Sequence, residues 1–219
     1  MILGVYGASG WGKEVLELAK VVNNKEHRWE DFIFIDDGDV PLAVSGYKVY
    51  KYEEAKATMR GNLQVVVGIG EPAIREIIFN KLLADGIEAP TLIHPDVYIP
   101  ESTKIGKGVV IQYGCFVSCN VIIGDYVVLQ PQCNIGHDVV VDEGCMISGF
   151  GNLSGAVHVG KWTYVGMSAA IMQTLSVGDY SIISMGAIVQ KDVESNVIVM
   201  GNPARPIAKN EDRRVFRHK

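Results

Sequence analysis

Residues 99–141 read IPESTKIGKGVVIQYGCFVSCNVIIGDYVVLQPQCNIGHDVVV. Counting in sixes from Ile99 gives Ile99, Ile105, Ile111, Val117, Ile123, Leu129, Ile135 and Val141. The count continues without a slip through Ile147, Leu153, Val159, Val165, Ile171, Val177, Ile183 and Val189. Ile, Leu and Val make up 62 of 219 residues, so sixteen successive hits by independent draws would occur roughly once in 10⁹. A second column keeps step two residues earlier, with small or β-branched Val97, Thr103, Val109, Cys115, Val121, Val127, Cys133, Val139 and Cys145. Glycine often follows the aliphatic residue, as at Gly106, Gly124, Gly136, Gly160, Gly166 and Gly178. A six-residue strand–turn unit explains all three columns. The aliphatic points inward, the small residue fits beside it, and glycine is expected to tolerate the turn backbone. Such repeats form a parallel β-helix. They also give Cys115, Cys133 and Cys145 a packing role in the small inward slots.

Residues 1 to about 90 have another rhythm. Met1–Tyr6 is a short apolar run, Gly7–Gly12 a glycine loop, and Lys13–Val22 a helix with Val15, Leu18, Ala19 and Val22 on one stripe. Phe32–Ile35 ends in Asp36-Asp37-Gly38. Gln64–Ile69 is a β-branched run closed by Gly68 and Gly70, Ile74–Leu83 is a second helix, and Thr91–Ile93 closes the region. This β-α-β-β-α-β order predicts a small parallel sheet with helices on its faces.

Composition excludes several classes. With 20 Lys+Arg against 25 Asp+Glu the net charge is −5, which gives no basic footprint for nucleic acid. No apolar run reaches the ~18 residues of a membrane span. The opening MILGVYGASG lacks the basic start of a signal peptide. The four cysteines have no metal-site spacing and are expected to be reduced, in a cytoplasmic protein that binds no metal.

The unbroken hexads resemble the left-handed β-helix acyltransferases. The resemblance implies three hexads per triangular coil of eighteen residues, about five coils in all, and a left hand that the general crossover rule would not give. YGASGWG (Tyr6–Gly12), FIDD (Phe34–Asp37), VGIGEPAIR (Val67–Arg75), LIHP (Leu92–Pro95) and GNPAR (Gly201–Arg205) follow one another in order. With a His-acid pair among the hexads, they narrow the resemblance to the PglD/NeuD-like nucleotide-sugar acetyltransferases, over essentially the whole chain. It implies an α/β, Rossmann-like domain at 1–92 that binds a nucleotide-linked amino sugar. It implies a left-handed β-helix at 93–219, with a C-terminal tail, that binds acetyl-CoA. It further implies a homotrimer with active sites between subunits, acetylating the 4-amino group of the sugar for surface polysaccharide synthesis.

His137-Asp138 is the candidate catalytic pair. A neutral imidazole accepts a proton, and a neighbouring carboxylate fixes its orientation. The family's pair is His-Glu; Asp is one methylene shorter. Residues eighteen apart stack in adjacent coils, so Gly155 falls beside His137, where the family uses a backbone N–H for the oxyanion. The column Gly149, Met167, Met185 and Pro203 runs along another corner; the resemblance assigns Met167, Met185 and Gly186 to the pantetheine arm. GNPAR lies past the last coil, and Pro203 and Arg205 become candidates for the CoA nucleotide end. Trimer packing remains open for the methionines.

In the small domain the loop Gly7-Ala8-Ser9-Gly10-Trp11-Gly12 follows a strand and opens a helix, offering N–H groups to a phosphate. Gly7, Ser9, Gly10, Trp11, Asp36, Asp37, Gly70 and Gln130 are the candidate substrate residues. Asp36 also mimics the ribose-binding acid of an NAD site. An O-acetyltransferase, a non-catalytic hexapeptide scaffold and an NAD-linked domain stay open as alternatives. Three positions depart from the family: Trp11 for a loop His, Gln130-Pro131 for Asn-Thr, and Met146 for a second His. His27, His94, His158 and His218 receive no role. Arg75 reads as a surface charge, Glu211–Lys219 as a solvated tail, and Val127, Val139 and Tyr164 as apolar area for a subunit contact.

Overall fold

The computed structural model describes residues 1–216; His218 and the end of the charged tail lie outside the described residues. Two compact units emerge. The first comprises Met1–Gly70 and Ile74–Pro95, and the second Glu71–Ala73 and the chain from Asp96 onward.

In the first unit, β1 (Ile2–Tyr6), α1 (Gly10–Glu26) and β2 (Asp31–Ile35) are followed by β3 (Ala43–Val44), β4 (Tyr47–Tyr50) and α2 (Tyr52–Thr58). Then come β5 (Leu63–Val67), α3 (Pro72–Ala84) and β6 (Leu92–Ile93). The sheet order is β3-β4-β2-β1-β5, with β4, β2, β1 and β5 parallel and β3 antiparallel at the edge. Leu3, Val5, Leu16, Phe34, Ile35 and Val65 are fully buried in its core. Helix α1 begins at Gly10, within the glycine loop, three residues before the expected start. Helix α2 and the β3–β4 hairpin were not expected, because seven and two residues are too few to show a period. Arg75 is also not the surface charge expected. It is fully buried, with its guanidinium 5.8 Å from the Phe79 ring centroid.

Three glycines join β1, α1 and the loop after β5. A Cβ on Gly12 would lie 1.8 Å from the Gly7 carbonyl oxygen, and one on Gly68 would lie 2.7 Å from the Gly12 Cα. Backbone therefore packs directly on backbone, and no side chain fits between.

In the second unit, fifteen two-residue strands run from β7 (Lys104–Ile105) to β21 (Ile188–Val189). They stack as three parallel sheets, each strand pairing with the one eighteen residues on, as in Ile105↔Ile123↔Val141 and Val117↔Ile135↔Leu153. The result is five coils of a left-handed parallel β-helix. Leu129, Ile135, Val141, Ile147, Leu153, Val159 and Val165 are fully buried along its axis. The Ile99 hexad adds no strand.

One expectation about the repeat changes its physical reason. The left-handed backbone falls three residues after the inward aliphatic, at Asn120, Tyr126, Gln132, Asp138, Phe150, Ala156, Trp162, Ser168, Thr174 and Tyr180, with φ between 53° and 62°. The glycines directly after the aliphatic are not in that region. They are needed because the next coil lies against them. A Cβ on Gly136 would lie 2.8 Å from Gly155 N, and one on Gly166 would lie 2.6 Å from Met185 N.

Val127 and Val139 are fully buried, so they form core and not a subunit face. Exposed apolar side chains among the described residues include instead Tyr98, Tyr113, Phe116, Ile122, Phe150, Met167, Met172 and Met185. Cys115, Cys133 and Cys145 are buried free thiols. Contact with Cys115, and then burial, push the Cys133 thiol up and keep it protonated. After β21 the eighteen-residue step ends. β22 (Val197–Gly201) pairs with the coil strand sixteen residues earlier, Ile183↔Val199, and turns back into antiparallel β23 (Ala204–Lys209). Pro203 therefore sits in a hairpin turn and does not extend the Met167–Met185 column into a further coil.

Candidate functional site

His137 and Asp138 occupy the turn between strands Asn134–Ile135 and Val140–Val141. Asp138 is in the left-handed conformation, φ 59°, which Asp tolerates better than most residues. That turn curls its carboxylate back along the ring, and Oδ2 lies 2.8 Å from His137 Nδ1. Asn120, one coil earlier, donates from Nδ2 to Asp138 Oδ1 at 3.0 Å. The His137 hydrogen bond, followed by that of Asn120, holds the Asp138 carboxyl below the usual carboxylate range. An ionised partner at Nδ1 leaves Nε2 as the free, basic nitrogen. The imidazole is 62% exposed and stands against Gly155 of the following coil. A Cβ there would lie 2.4 Å from Nε2. The Gly155 carbonyl accepts from Thr174 N–H at 3.0 Å, while the Gly155 N–H meets no acceptor among the described residues.

Met167, Met185 and Gly186 lie on a different corner, between the strand pairs Tyr164–Val165 and Ala170–Ile171 and the pairs one coil on. Met167 and Met185 are 48% and 72% exposed, and Gly186 N–H donates to Met167 O at 2.9 Å. Gln130 belongs to this corner too. Its Oε1 accepts from Gly149 N–H at 3.2 Å, so the chain groups it with the methionine column and not with His137. Arg205 lines a cavity of about 300 Å³ with Lys191, Val197 and Pro206, at the base of the terminal hairpin. Met146, read from the sequence as a departure from the family pattern, is buried. The His158 ring pairs with Asp142 Oδ2 at 2.8 Å, a dyad that sequence spacing of sixteen residues did not suggest.

In the first unit, Gly7, Ser9, Gly10, Trp11, Asp36, Asp37 and Gly70 gather at the carboxyl ends of β1, β2 and β5. The chain leaves β1 toward β2 and later returns on the other side as β5. Ligands of open parallel sheets bind outside such a switch point. Ser9 precedes α1 without a side-chain cap, and no acidic residue stands in the first turn. The first-turn N–H groups thus face outward with a partial positive charge. Trp11 Nε1–H is buried and has no partner among the described residues.

The two acids are already engaged by the protein. Asp36 Oδ2 accepts from Ala8 N–H and Oδ1 from Gly38 N–H, both at 2.9 Å, so it ties the glycine loop to the end of β2. Asp37 accepts from Tyr6 Oη and, at 2.9 Å, from Tyr52 N–H. Partial burial opposes the charge on Asp37, but the bonds from Tyr52 and Tyr6 with Lys81 and Lys51 nearby prevail, and its carboxyl is held low. Burial and then the Asp37 bond push the Tyr6 phenol up. Among the described residues no group of His, Cys, Asp or Glu could hold a metal ion, and no helix is long and apolar enough to cross a membrane.

A family model for the PglD N-terminal domain matches residues 3–82. GDP-perosamine N-acetyltransferase of Escherichia coli O157:H7 is 26% identical over 216 residues, covering 95% of this chain and 97% of the relative. The structure of WeeI from Acinetobacter baumannii AYE superposes with a TM-score of 0.88 at 30% identity, covering 94% of this chain and all of that one. The acetyltransferase domain of PglB from Neisseria gonorrhoeae FA1090, in complex with acetyl coenzyme A, gives a TM-score of 0.87 at 29% identity, over 94% and 98% of the two chains.

Proposed function

The chain belongs to the PglD/NeuD-like sugar acetyltransferase family, and from that premise we propose that it transfers the acetyl group of acetyl-CoA to the 4-amino group of a nucleotide-linked amino-deoxysugar. The observation that carries this reading is the His137–Asp138 pair set against Gly155. The likeness to GDP-perosamine N-acetyltransferase along nearly the full length supports the acceptor class. The acetyl-CoA complex of the PglB domain supports the donor.

The sugar nitrogen attacks the thioester carbonyl carbon and acquires positive charge. His137 Nε2 removes the proton, while ionised Asp138 stabilises the imidazolium through Nδ1. The carbonyl oxygen becomes an oxyanion, and the Gly155 N–H supplies its donor. Collapse breaks the carbon–sulfur bond, and the imidazolium returns its proton to the CoA thiolate. The ledger closes on an amide, CoA thiol and neutral His137.

Residues 1–92 bind the nucleotide sugar in this reading, at Gly7, Ser9, Gly10, Trp11 and Gly70, with the first-turn N–H groups of α1 on the diphosphate. Asp36 and Asp37 shape that loop and reach the nucleoside only with their remaining lone pairs. Residues 93–219 bind acetyl-CoA, with the pantetheine along Met167, Met185 and Gly186 and the nucleotide end near Pro203 and Arg205. One chain puts the methionine column and the His137 column on different corners of its triangle. A site that uses both needs a second copy, which supports a homotrimer with sites between subunits. Acetyl-CoA and a nucleotide sugar are cytoplasmic metabolites, and the enzyme is proposed to act there.

The test is incubation with acetyl-CoA and a panel of UDP-, dTDP- and GDP-linked 4-amino-sugars beside their 4-hydroxy counterparts. Release of CoA and a product heavier by one acetyl group, on amino-sugars alone, is the expected result. Acetylation of the hydroxy sugars instead would replace this reading with O-acetylation.

A further inference from the structure

We infer that Lys191, which the sequence reading left without a role, binds the diphosphate of the acetyl donor from the far end of the His137 corner; the inference rests on the function proposed above. Residues eighteen apart on that corner are Cys119, His137, Gly155, Gln173 and Lys191. The backbone stacks them. Asp138 N–H donates to Cys119 O at 3.1 Å, Ala156 N–H to His137 O at 2.8 Å and Thr174 N–H to Gly155 O at 3.0 Å. Val189 still pairs eighteen residues back with Ile171, but Val193 bridges to Val177, sixteen back. The last turn of the corner is therefore 190–192, where the coil below uses 172–176. Asp192 Oδ1 accepts from Ser176 N–H at 2.8 Å and pins the shortened turn. Lys191 is exposed on it, and its ammonium has no partner among the described residues.

Lys191 also lines the cavity of about 300 Å³ at the base of the terminal hairpin, together with Arg205, Asp192 and Glu194. The cavity thus joins two cations from separate stretches of chain. Of the two carboxylates, Asp192 is committed to Ser176, and Glu194 is the one that opposes an anion. Length decides what reaches this place. At ~4.8 Å per coil, Lys191 stands three coils, or ~14 Å, from His137. In CoA about thirteen bonds separate the thioester sulfur from the first phosphorus, and an extended chain of that length spans roughly 15 Å. An arm that delivers its carbonyl to His137 therefore brings its diphosphate to Lys191. The methionine column steps toward the same end of the β-helix, from Met167 to Met185, so an arm laid along it runs the same way. A lysine ammonium is a compact charge suited to a phosphate oxygen.

The experiment is calorimetric binding of four donors to the full chain, as wild type and as Lys191→Ala, Lys191→Arg and Glu194→Gln. The donors are acetyl-CoA, acetyl-dephospho-CoA without the 3′-phosphate, acetyl-phosphopantetheine with only the phosphate next to the arm, and acetyl-pantetheine with none. Lys191→Ala is expected to raise Kd for the first three roughly tenfold and to leave acetyl-pantetheine within about twofold. Lys191→Arg keeps the charge and should recover most of the loss. Glu194→Gln should tighten the same three donors about twofold, because an opposing charge is removed. A loss confined to acetyl-CoA would put Lys191 on the 3′-phosphate and overturn the inference. So would an equal loss for acetyl-pantetheine, an unchanged Kd in Lys191→Ala, no recovery in Lys191→Arg, or no gain in Glu194→Gln. A wild type that binds none of the four donors would overturn the proposed function as well. Binding by the wild type with no discrimination by Lys191→Ala overturns this inference alone.

Discussion

The His137 imidazole fills the space that a side chain at position 155 would need: a Cβ on Gly155 would lie 2.4 Å from Nε2 and 2.5 Å from Cε1. Gly155 is not in the left-handed region, so alanine is compatible with its backbone, and the three atoms nearest to the added Cβ all belong to the ring. Gly155→Ala is expected to keep the fold, with Tm within a few degrees, and to lower kcat about 100-fold by displacing Nε2. Circular dichroism melting together with CoA-release kinetics checks this. A variant at wild-type rate would show that the ring's seat is not catalytic.

Asp138 and Asn120 should separate orientation from charge. Asp138→Asn keeps the shape but removes the anion that favours the Nδ1–H tautomer, and kcat should fall 10²- to 10⁴-fold, on the order of a lost general base. Asn120→Ala removes only the 3.0 Å bond to Oδ1 and should cost no more than about fivefold. Steady-state kcat for both variants tests the order; a larger loss at Asn120 contradicts it.

Gly12 and Gly10 sit two residues apart on the same helix with opposite tolerances. Gly12→Ala drives a methyl into the Gly7 carbonyl and should destabilise the N-terminal unit by about 3 kcal/mol. A Cβ on Gly10 meets nothing within 4 Å, so Gly10→Ala should be neutral or stabilising by up to about 1 kcal/mol. Urea melts of the two variants decide.

Acid should loosen the first unit through Asp37. Its carboxyl is held low in the folded state, so its contribution is complete above the ordinary carboxylate pKa, ~3.9, and is lost as pH falls below that through the folded value. Asp37→Asn should therefore flatten the fall of Tm between about pH 4 and pH 2 and lower Tm at neutral pH. An unchanged acid limb would mean the Tyr52 and Tyr6 bonds do not favour the charged form.

The β-helix was legible because every hexad meets the same environment: an inward aliphatic at one position in six survives any local irregularity. The catalytic candidate was legible for a similar reason, since a single left-handed residue makes sequence neighbours His137 and Asp138 into spatial partners. What failed was long range. Asp36 and Asp37 stood out as an acidic pair, yet their partners Ala8 and Tyr6 are 28 and 31 residues away. Arg75 looked like a surface charge because no local pattern signals a fully buried guanidinium. The glycines after each aliphatic were assigned to the turn when their true neighbour is the next coil, a contact eighteen or more residues distant. The tail read as solvated is held in part: the Val215 and Phe216 N–H groups donate to the Glu71 carboxylate at 3.0 and 2.9 Å, across 144 and 145 residues that no local pattern spans.

The most direct test of the central claim is turnover by His137→Ala, measured as CoA released from acetyl-CoA with the best nucleotide amino-sugar, beside calorimetric binding of acetyl-CoA to the same protein. With His137 as the base, acetyl-CoA should bind as it does to the wild type while kcat falls at least about 100-fold. Wild-type turnover in His137→Ala would contradict the account and move the proton-accepting group elsewhere.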